Sequence, residues 1–331
     1  MGEETLGNGR SDGEDRPIRT EELGSARIIV LDRPRALNAL SQAMVDALAE
    51  TLGNWRRDAS VKSVILKGAG DRAFSAGADV RAMWAHARAG EYDAIEDYFA
   101  AEYALDLAIA IYPKPILSIV NGICFGGGMA LAVHSRYCVA GEGASFSMPE
   151  TLIGFFPDAG ATYFLSRLPG AIGRYLGMTG ARLSGADAVH LGLATHYVPG
   201  KDHERAAQAF AEGGESALAE LTVPLPPFSL APHREAIDAG FSADTVEGVF
   251  ERLRAQDTEW ARQTLDVLEQ RSPASLQWTL ESLRAGRGRT LEECLAAELE
   301  LVRVSTAHLD FAEGVRAALV DKDRQPNWQR R

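Results

Sequence analysis

The sequence predicts a layered α/β core followed by a helical C-terminal region. Three observations carry that reading. Short β-branched runs alternate with helical stretches through the first half of the chain. Small-residue clusters at Gly68-Ala69-Gly70, Ser75-Ala76-Gly77-Ala78 and Gly126-Gly127-Gly128 punctuate those passages. A proline cluster, Pro224, Pro226, Pro227 and Pro232, then interrupts the chain, and no run of strand character follows it. Strand–helix alternation implies parallel pairing through right-handed crossovers. Proline lacks an N–H and fixes φ, so neither a helix nor a central strand runs through such a cluster.

In order, Ala26–Leu31 (ARIIVL) reads as a strand stopped by Asp32-Arg33-Pro34. Met44, Leu48, Leu52 and Trp55 recur at helical spacing after Ser41, a good N-cap. Residues 61–67 are a second strand, residues 80–112 one helix, and residues 115–120 a third strand. Residues 126–133 start a helix after glycine punctuation, and residues 137–140 and 145–148 are short extended pieces. Beyond the prolines, Leu291, Leu295, Leu299 and Val302 form one apolar stripe. The expected organisation is a disordered acidic tail over 1–17, a core over 18–215 and a helical region over 216–331, the junction lying near 215–232.

Composition narrows the function. The 331 residues carry 34 Lys plus Arg against 46 Asp plus Glu, a formal charge of −12, with 46% apolar residues. A globular chain of this sign lacks the basic face that nucleic acid requires. Cys124, Cys138 and Cys294 show no CxxC spacing, which disfavours a disulfide framework and a zinc ribbon and fits reduced thiols in a cytoplasmic setting. The first 17 residues have no apolar core and are too acidic for a transit peptide. Residues 116–133 are uncharged, but Asn121-Gly122 and the triple glycine break them, so strand, loop and buried helix fit better than a membrane span.

Phosphate-loop, HExxH and GxSxG motifs are absent, and the triple glycine lacks the surroundings of a dinucleotide loop. What remains is two small-residue turns and two carboxylates. The turns at 75–79 and 126–128 are either plain tight turns or an oxyanion hole made of two converging N–H groups. Glu150 and Asp158 each follow a proline within the apolar segment SMPETLIGFFPDAGAT. They are either helix caps or an acid/base pair, since a carboxylate among Phe and Leu is costly to ionise.

Four blocks carry a resemblance: LDRPRALNAL (31–40), AFSAGADVRAM (73–83), KPILSIVNGICFGGGMALAVHSRY (114–137) and SFSMPETLIGFFPDAGAT (145–162). Together they resemble the enoyl-CoA hydratase/isomerase (crotonase) superfamily. That resemblance implies a ββα-spiral core of the ClpP/crotonase type. Within the superfamily the chain is most similar to the branch that hydrolyses 3-hydroxyisobutyryl-CoA in valine breakdown. The features that say so are Asp158, Ala101-Glu102-Tyr103, residues 179–199 and HLDFAEGVRAALVDKDRQPNW at 308–328.

The resemblance assigns roles. The backbone N–H groups of Ala78 and Gly127 would bind the thioester oxygen. Glu150 would be nucleophile or general base, and Asp158 would orient the substrate hydroxyl or water. Glu102 would contact substrate, and main-chain groups around Ala36, Leu37 and Ser75, with Asp79, would complete the binding residues. The first catalytic glutamate of the hydratases falls on Ala130, and a methyl group cannot deprotonate water. A hydratase or isomerase of the same fold is the alternative. The resemblance implies coenzyme A as part of the substrate, no metal or separate cofactor, no membrane partner, and a homotrimer or hexamer. The helical C-terminus could instead cap the site within one subunit. Arg33, Arg35 and Lys114 are either phosphate contacts or surface charges. His134 and His196 are expected to be buried and structural, and Trp260, Trp278 and Trp328 to be core or subunit contacts.

Overall fold

The computed structural model describes residues 17–329, so residues 1–16 of the expected acidic tail lie outside the described residues. The strands are β1 (Ile18–Leu23), β2 (Ala26–Leu31), β3 (Ser63–Gly68), β4 (Ala73–Ser75), β5 (Ile116–Val120), β6 (Ile123–Phe125), β7 (Tyr137–Ala140), β8 (Ser145–Ser147), β9 (Leu183–Ser184) and β10 (His196–Tyr197). The larger sheet has six strands in the order β1-β2-β3-β5-β7-β10, and the smaller has four, β4-β6-β8-β9. Each of β3, β5 and β7 is followed by a strand of the smaller sheet and then by helix, which is a ββα repeat wound into a spiral.

The helices are α1 (Gln42–Arg57), α2 (Val80–Ala89), α3 (Tyr92–Ala110), α4 (Gly127–His134), α5 (Ala161–Ser166), α6 (Ile172–Thr179), α7 (Gly185–His190) and α8 (His203–Ala219). Beyond the prolines come α9 (Arg234–Phe241), α10 (Val246–Gln256), α11 (Glu259–Glu269), α12 (Pro273–Gly286), α13 (Leu291–Ala307) and α14 (Leu309–Val315).

Two expectations need correction, and one strand was not foreseen. Pairing is parallel through β2, β3, β5, β7 and β10, but β1–β2 is an antiparallel hairpin and β8–β9 is also antiparallel. Strand β1 escapes a sequence reading because IRTEEL holds four polar residues on an edge where only a few positions are covered. The single helix expected over 80–112 is two. Gly90 adopts φ 75°, a left-handed conformation that ends α2, and its N–H bonds the carbonyls of Ala87 and His86.

Ser41 caps α1 as expected, accepting from the Met44 N–H. Alternation along β2 and β3 sends Ile29, Leu31, Val64 and Leu66 into the main core. Ile28, Val30 and Ile65 face the other way, against Ala206, Ala207 and Phe210 of α8. Both faces of the larger sheet are therefore buried, as parallel sheets require. Residues 222–228 carry no regular structure. The expected boundary at 215 falls one residue past a kink in α8 at Gly214, φ 64°. No helix among the described residues is long and apolar enough to cross a membrane.

Helices α12 to α14 pack back onto the first half of the chain. The α12 and α13 helices lie on α5, α13 also lies on α3, and α14 lies on α2. This arrangement brings Arg324, Gln325, Pro326 and Trp328 to the wall of a cavity between the two halves.

Candidate active site

The cavity occupies about 840 Å³ and is lined by both small-residue turns, by α3, by the turn Glu150–Ile153 and by the C-terminal segment. The first turn follows β4. Its backbone is stitched to the segment before α1: Ala76 N–H to Leu37 O at 2.9 Å, Leu40 N–H to Gly77 O at 2.8 Å and Asp79 N–H to Leu40 O at 3.0 Å. Gly77 sits at φ 89°, and a Cβ there would stand 2.8 Å from Phe125 O and 3.2 Å from Gly127 N. The two turns therefore touch through glycine, and any side chain at residue 77 would push them apart. Gly127 opens α4, where an N–H has no acceptor within its helix. Neither its N–H nor that of Ala78 bonds an acceptor among the described residues.

Three carboxyl groups surround these donors. Glu102, on α3, is 1% exposed, and neither of its oxygens has a hydrogen-bond partner. A Cβ at Gly127 would run into Glu102 Oε1. Glu150 is 7% exposed, with Oε2 unpartnered and Oε1 only 2.8 Å from where a Gly126 Cβ would lie. Asp158 accepts a hydrogen bond of 2.8 Å from the Tyr103 hydroxyl. Neither Glu150 nor Asp158 caps a helix with its side chain; both turn inward.

Among the described residues none of the three has a cationic partner, and burial sets the direction in which each pKa moves. Desolvation first, then the charges of Asp158 and Glu102, hold the Glu150 carboxyl well above the usual carboxylate range. Glu102 is raised by burial and then by Asp158. Asp158 is pushed up to about 7 by burial, against the stabilising bonds from Tyr103 and its own backbone. Two further acids stand behind. Asp106, one turn along α3 from Glu102, is wholly buried with both oxygens unpartnered. Glu298, on α13, accepts from the turn that follows Asp158.

Ala78, Gly127, Glu102, Glu150 and Asp158 thus share one cavity. Ala36, Leu37, Ser75 and Asp79 lie in the adjoining stitched segment and not on its walls. Ser75 is wholly buried and accepts from the Gly77 N–H, and Asp79 pairs with Arg33 at 3.0 Å. Lys114 is not free for a ligand phosphate: its ammonium donates to the carbonyls of Trp55 and Asp58 at the end of α1. His134 is buried against Ala159 O at 3.0 Å and pushed down to about 4 by desolvation. His196 bonds Thr195 Oγ1 at 2.7 Å. Both are buried, as expected.

Trp328 has a place that its expectation did not name. It lines the cavity, anchored by its indole N–H on Gln270 O at 3.1 Å. Arg182, lying over the Phe125 ring, and Arg324 also line the cavity, and among the described residues no carboxylate engages either one. The sequence reading missed Asp106 and Glu298. A signal existed for each: Asp106 is four residues from Glu102 on a helix, and Glu298 lies on the Leu295–Val302 face.

A family model described as enoyl-CoA hydratase/isomerase matches residues 26–331. A protein of Arabidopsis thaliana named 3-hydroxyisobutyryl-CoA hydrolase 1 is 41% identical over 330 residues, covering 95% of this chain and 87% of its own length. A mitochondrial 3-hydroxyisobutyryl-CoA hydrolase of Xenopus tropicalis is 40% identical over 317 residues, covering 92% and 82%. A solved structure described as a carnitinyl-CoA dehydratase from Mycobacterium thermoresistibile superposes with a TM-score of 0.90 at 39% identity, covering 94% of this chain and 91% of that one.

Proposed function

The chain belongs to the enoyl-CoA hydratase/isomerase family, and from that premise we propose that it hydrolyses 3-hydroxyisobutyryl-CoA to 3-hydroxyisobutyrate and free coenzyme A. The observation that carries the reading is the convergence of Glu102, Glu150 and Asp158 on a cavity that also holds Ala78 and Gly127. Ala130 is wholly buried and offers only a methyl group where the hydratase pattern places its first glutamate. The relatives of about 40% identity support the same substrate.

In this proposal the thioester oxygen sits between the N–H groups of Ala78 and Gly127. Attack at the carbonyl carbon converts that oxygen into an oxyanion, and two preorganised donors stabilise the charge as it forms. One such donor is typically worth about 3–4 kcal/mol. The C–S bond then breaks, and the departing thiolate takes up a proton. Glu150 either activates the attacking water or attacks the carbon itself to give an anhydride that water opens. Asp158, held by Tyr103, orients the 3-hydroxyl or the water. Arg182 and Arg324 supply positive charge for the phosphates of coenzyme A.

A cytoplasmic setting belongs to the same proposal, and the free, buried state of Cys124, Cys138 and Cys294 accords with it. So does assembly into a trimer or hexamer, which sedimentation tests: a single species at the 35.7 kDa chain mass would reject it.

The decisive assay mixes the purified chain with 3-hydroxyisobutyryl-CoA and a thiol reagent, and separately follows the double bond of crotonyl-CoA. Free coenzyme A in the first and no change in the second is the expected result. The reverse pattern would replace hydrolysis by hydratase chemistry, the second reading, which the similarity to a dehydratase structure favours.

A further inference from the structure

We propose that Glu298, on a helix of the C-terminal region, is a positioning residue for Asp158. The inference rests on the hydrolase reading and extends it to a side chain that does not touch the cavity. Glu298 is 2% exposed. Its Oε2 accepts the Gly160 N–H at 2.7 Å, and its Oε1 accepts the Thr162 N–H at 3.0 Å together with the Thr162 hydroxyl. All three donors lie within four residues of Asp158.

The turn they hold is one that a chain does not keep unaided. Ala159 sits at φ 54° and Gly160 at φ 82°, two successive residues in the left-handed region. An alanine there is strained and persists only where its surroundings over-determine it. His134 grips the carbonyl of Ala159 from α4, and Glu298 grips the amides from α13. The Asp158 carboxyl itself is held from a third direction by Tyr103. The backbone and the side chain of the same catalytic candidate are thus pinned by separate elements.

A neutral acceptor would also satisfy the amides that open α5, so plain stabilisation is the competing explanation. A buried carboxyl is a costly choice for it. Burial pushes the Glu298 carboxyl up to about 8, the Thr162 and Gly160 bonds pull it down, and the nearby Asp158 charge pushes it up again. Unlike a glutamine amide, a carboxyl group can turn one oxygen to each of the two amides at once. Both oxygens are used that way here.

The test uses the full chain with Glu298→Gln, which keeps the shape but converts one acceptor into a donor facing an N–H. Amide hydrogen exchange is read first, because it needs no substrate. Exchange at Gly160 and Thr162 is expected to speed up at least about tenfold, with distant core amides unchanged. Unchanged exchange at both would overturn the clamp. Turnover of 3-hydroxyisobutyryl-CoA is then expected to fall about 10- to 100-fold in kcat with KM within about twofold, the scale of a displaced catalytic group. The double variant Asp158→Asn, Glu298→Gln is expected to be no slower than Asp158→Asn alone, since a residue acting through Asp158 has nothing left to position. Multiplying losses would overturn the proposal and leave Glu298 a general stabiliser. Should Glu298→Gln fail to fold, Thr162→Val removes one donor and is expected to act in the same direction with a smaller loss in kcat. An inactive wild-type chain would sink the hydrolase reading instead, and the exchange arm would still decide the clamp.

Discussion

Glu150 is the residue on which the proposed chemistry turns. Its Oε2 is buried and unpartnered, so no group among the described residues competes with substrate or water for it. Glu150→Gln keeps the volume and removes the base. Coenzyme A release is expected to fall at least about a thousandfold while acyl-CoA binding, followed by calorimetry, persists; retained turnover would remove Glu150 from the mechanism. Its proton sets the pH dependence. A base must be ionised, and burial with Asp158 and Glu102 raises its pKa. The acid limb of kcat/KM is therefore expected well above the ordinary glutamate value, with the rate climbing as pH rises through it. Asp158→Asn removes one of the raising charges and is expected to move that limb to lower pH, a shift read from rate–pH profiles.

Asp106 has the same sign with a different readout. Its folded pKa is raised by burial and then by Glu102, Asp158 and Glu298. The folded protein binds that proton more tightly than the unfolded chain, so the associated stability is complete below the unfolded pKa and is lost as pH rises through the folded one. Asp106→Asn carries no proton to lose. Denaturant unfolding is expected to find the variant gaining on the parent by about 1–3 kcal/mol between pH 5 and pH 8, at roughly 1.4 kcal/mol for each pH unit over which only the folded state holds the proton. An equal difference at both values would show that the folded protein holds no extra proton on Asp106 across that range.

At the scale of elements, α3 joins the core to the chemistry. Its helical period sets Glu102, Tyr103 and Asp106 among the buried aromatics Tyr98 and Phe99. The opposing wall is the C-terminal segment, which leaves α14 through a π-helical turn at Arg316–Val320. Arg316 ties this segment to itself through Glu313, Asp321 and Asp323 at 2.6–2.8 Å. The Gln329 and Asn327 amides bond Asp310 and Glu313 at 2.8 Å each. The segment thus has its own fastenings and does not depend on Trp328 to stay in place. Trp328→Ala is expected to raise KM for the acyl-CoA about tenfold with little change in Tm. A fall in kcat alone would assign Trp328 to the reacting end of the substrate.

Across the whole molecule, the C-terminal region completes the core instead of hanging from it. Phe311 of α14 is wholly buried beside Phe155, whose ring lines the cavity, at 5.7 Å. Removing everything after residue 232 would strip α3 and α5 of their covering helices and expose those apolar faces. The shortened chain is expected to lose near-UV circular dichroism and to bind a hydrophobic dye. A native-like spectrum would make the first half an independent domain.

The order of strands and helices was legible because periodicity and capping are local. The β2 run ends where Asp32 follows it, and Ser41 starts α1 where its side chain can accept an amide. The split of α2 from α3 hinged on one glycine whose φ no propensity announces, and β1 was hidden by its charged edge. The site divides the same way. Gly77, Gly127, Glu150 and Asp158 stand out in the sequence because small residues and isolated acids are unusual in apolar segments. Glu298 resembles a surface glutamate in a helix full of them until its face is known to be covered.

By itself, then, the sequence determined which groups are available: two glycine turns, a set of carboxyls and the elements that carry them, since each depends on neighbours a few residues away. Only the tertiary structure decided which of those groups meet, which acids hold protons, and that Tyr103, His134 and Glu298 converge on one turn. Those properties come from burial and from distances across space, and residues 138 apart in the chain set them.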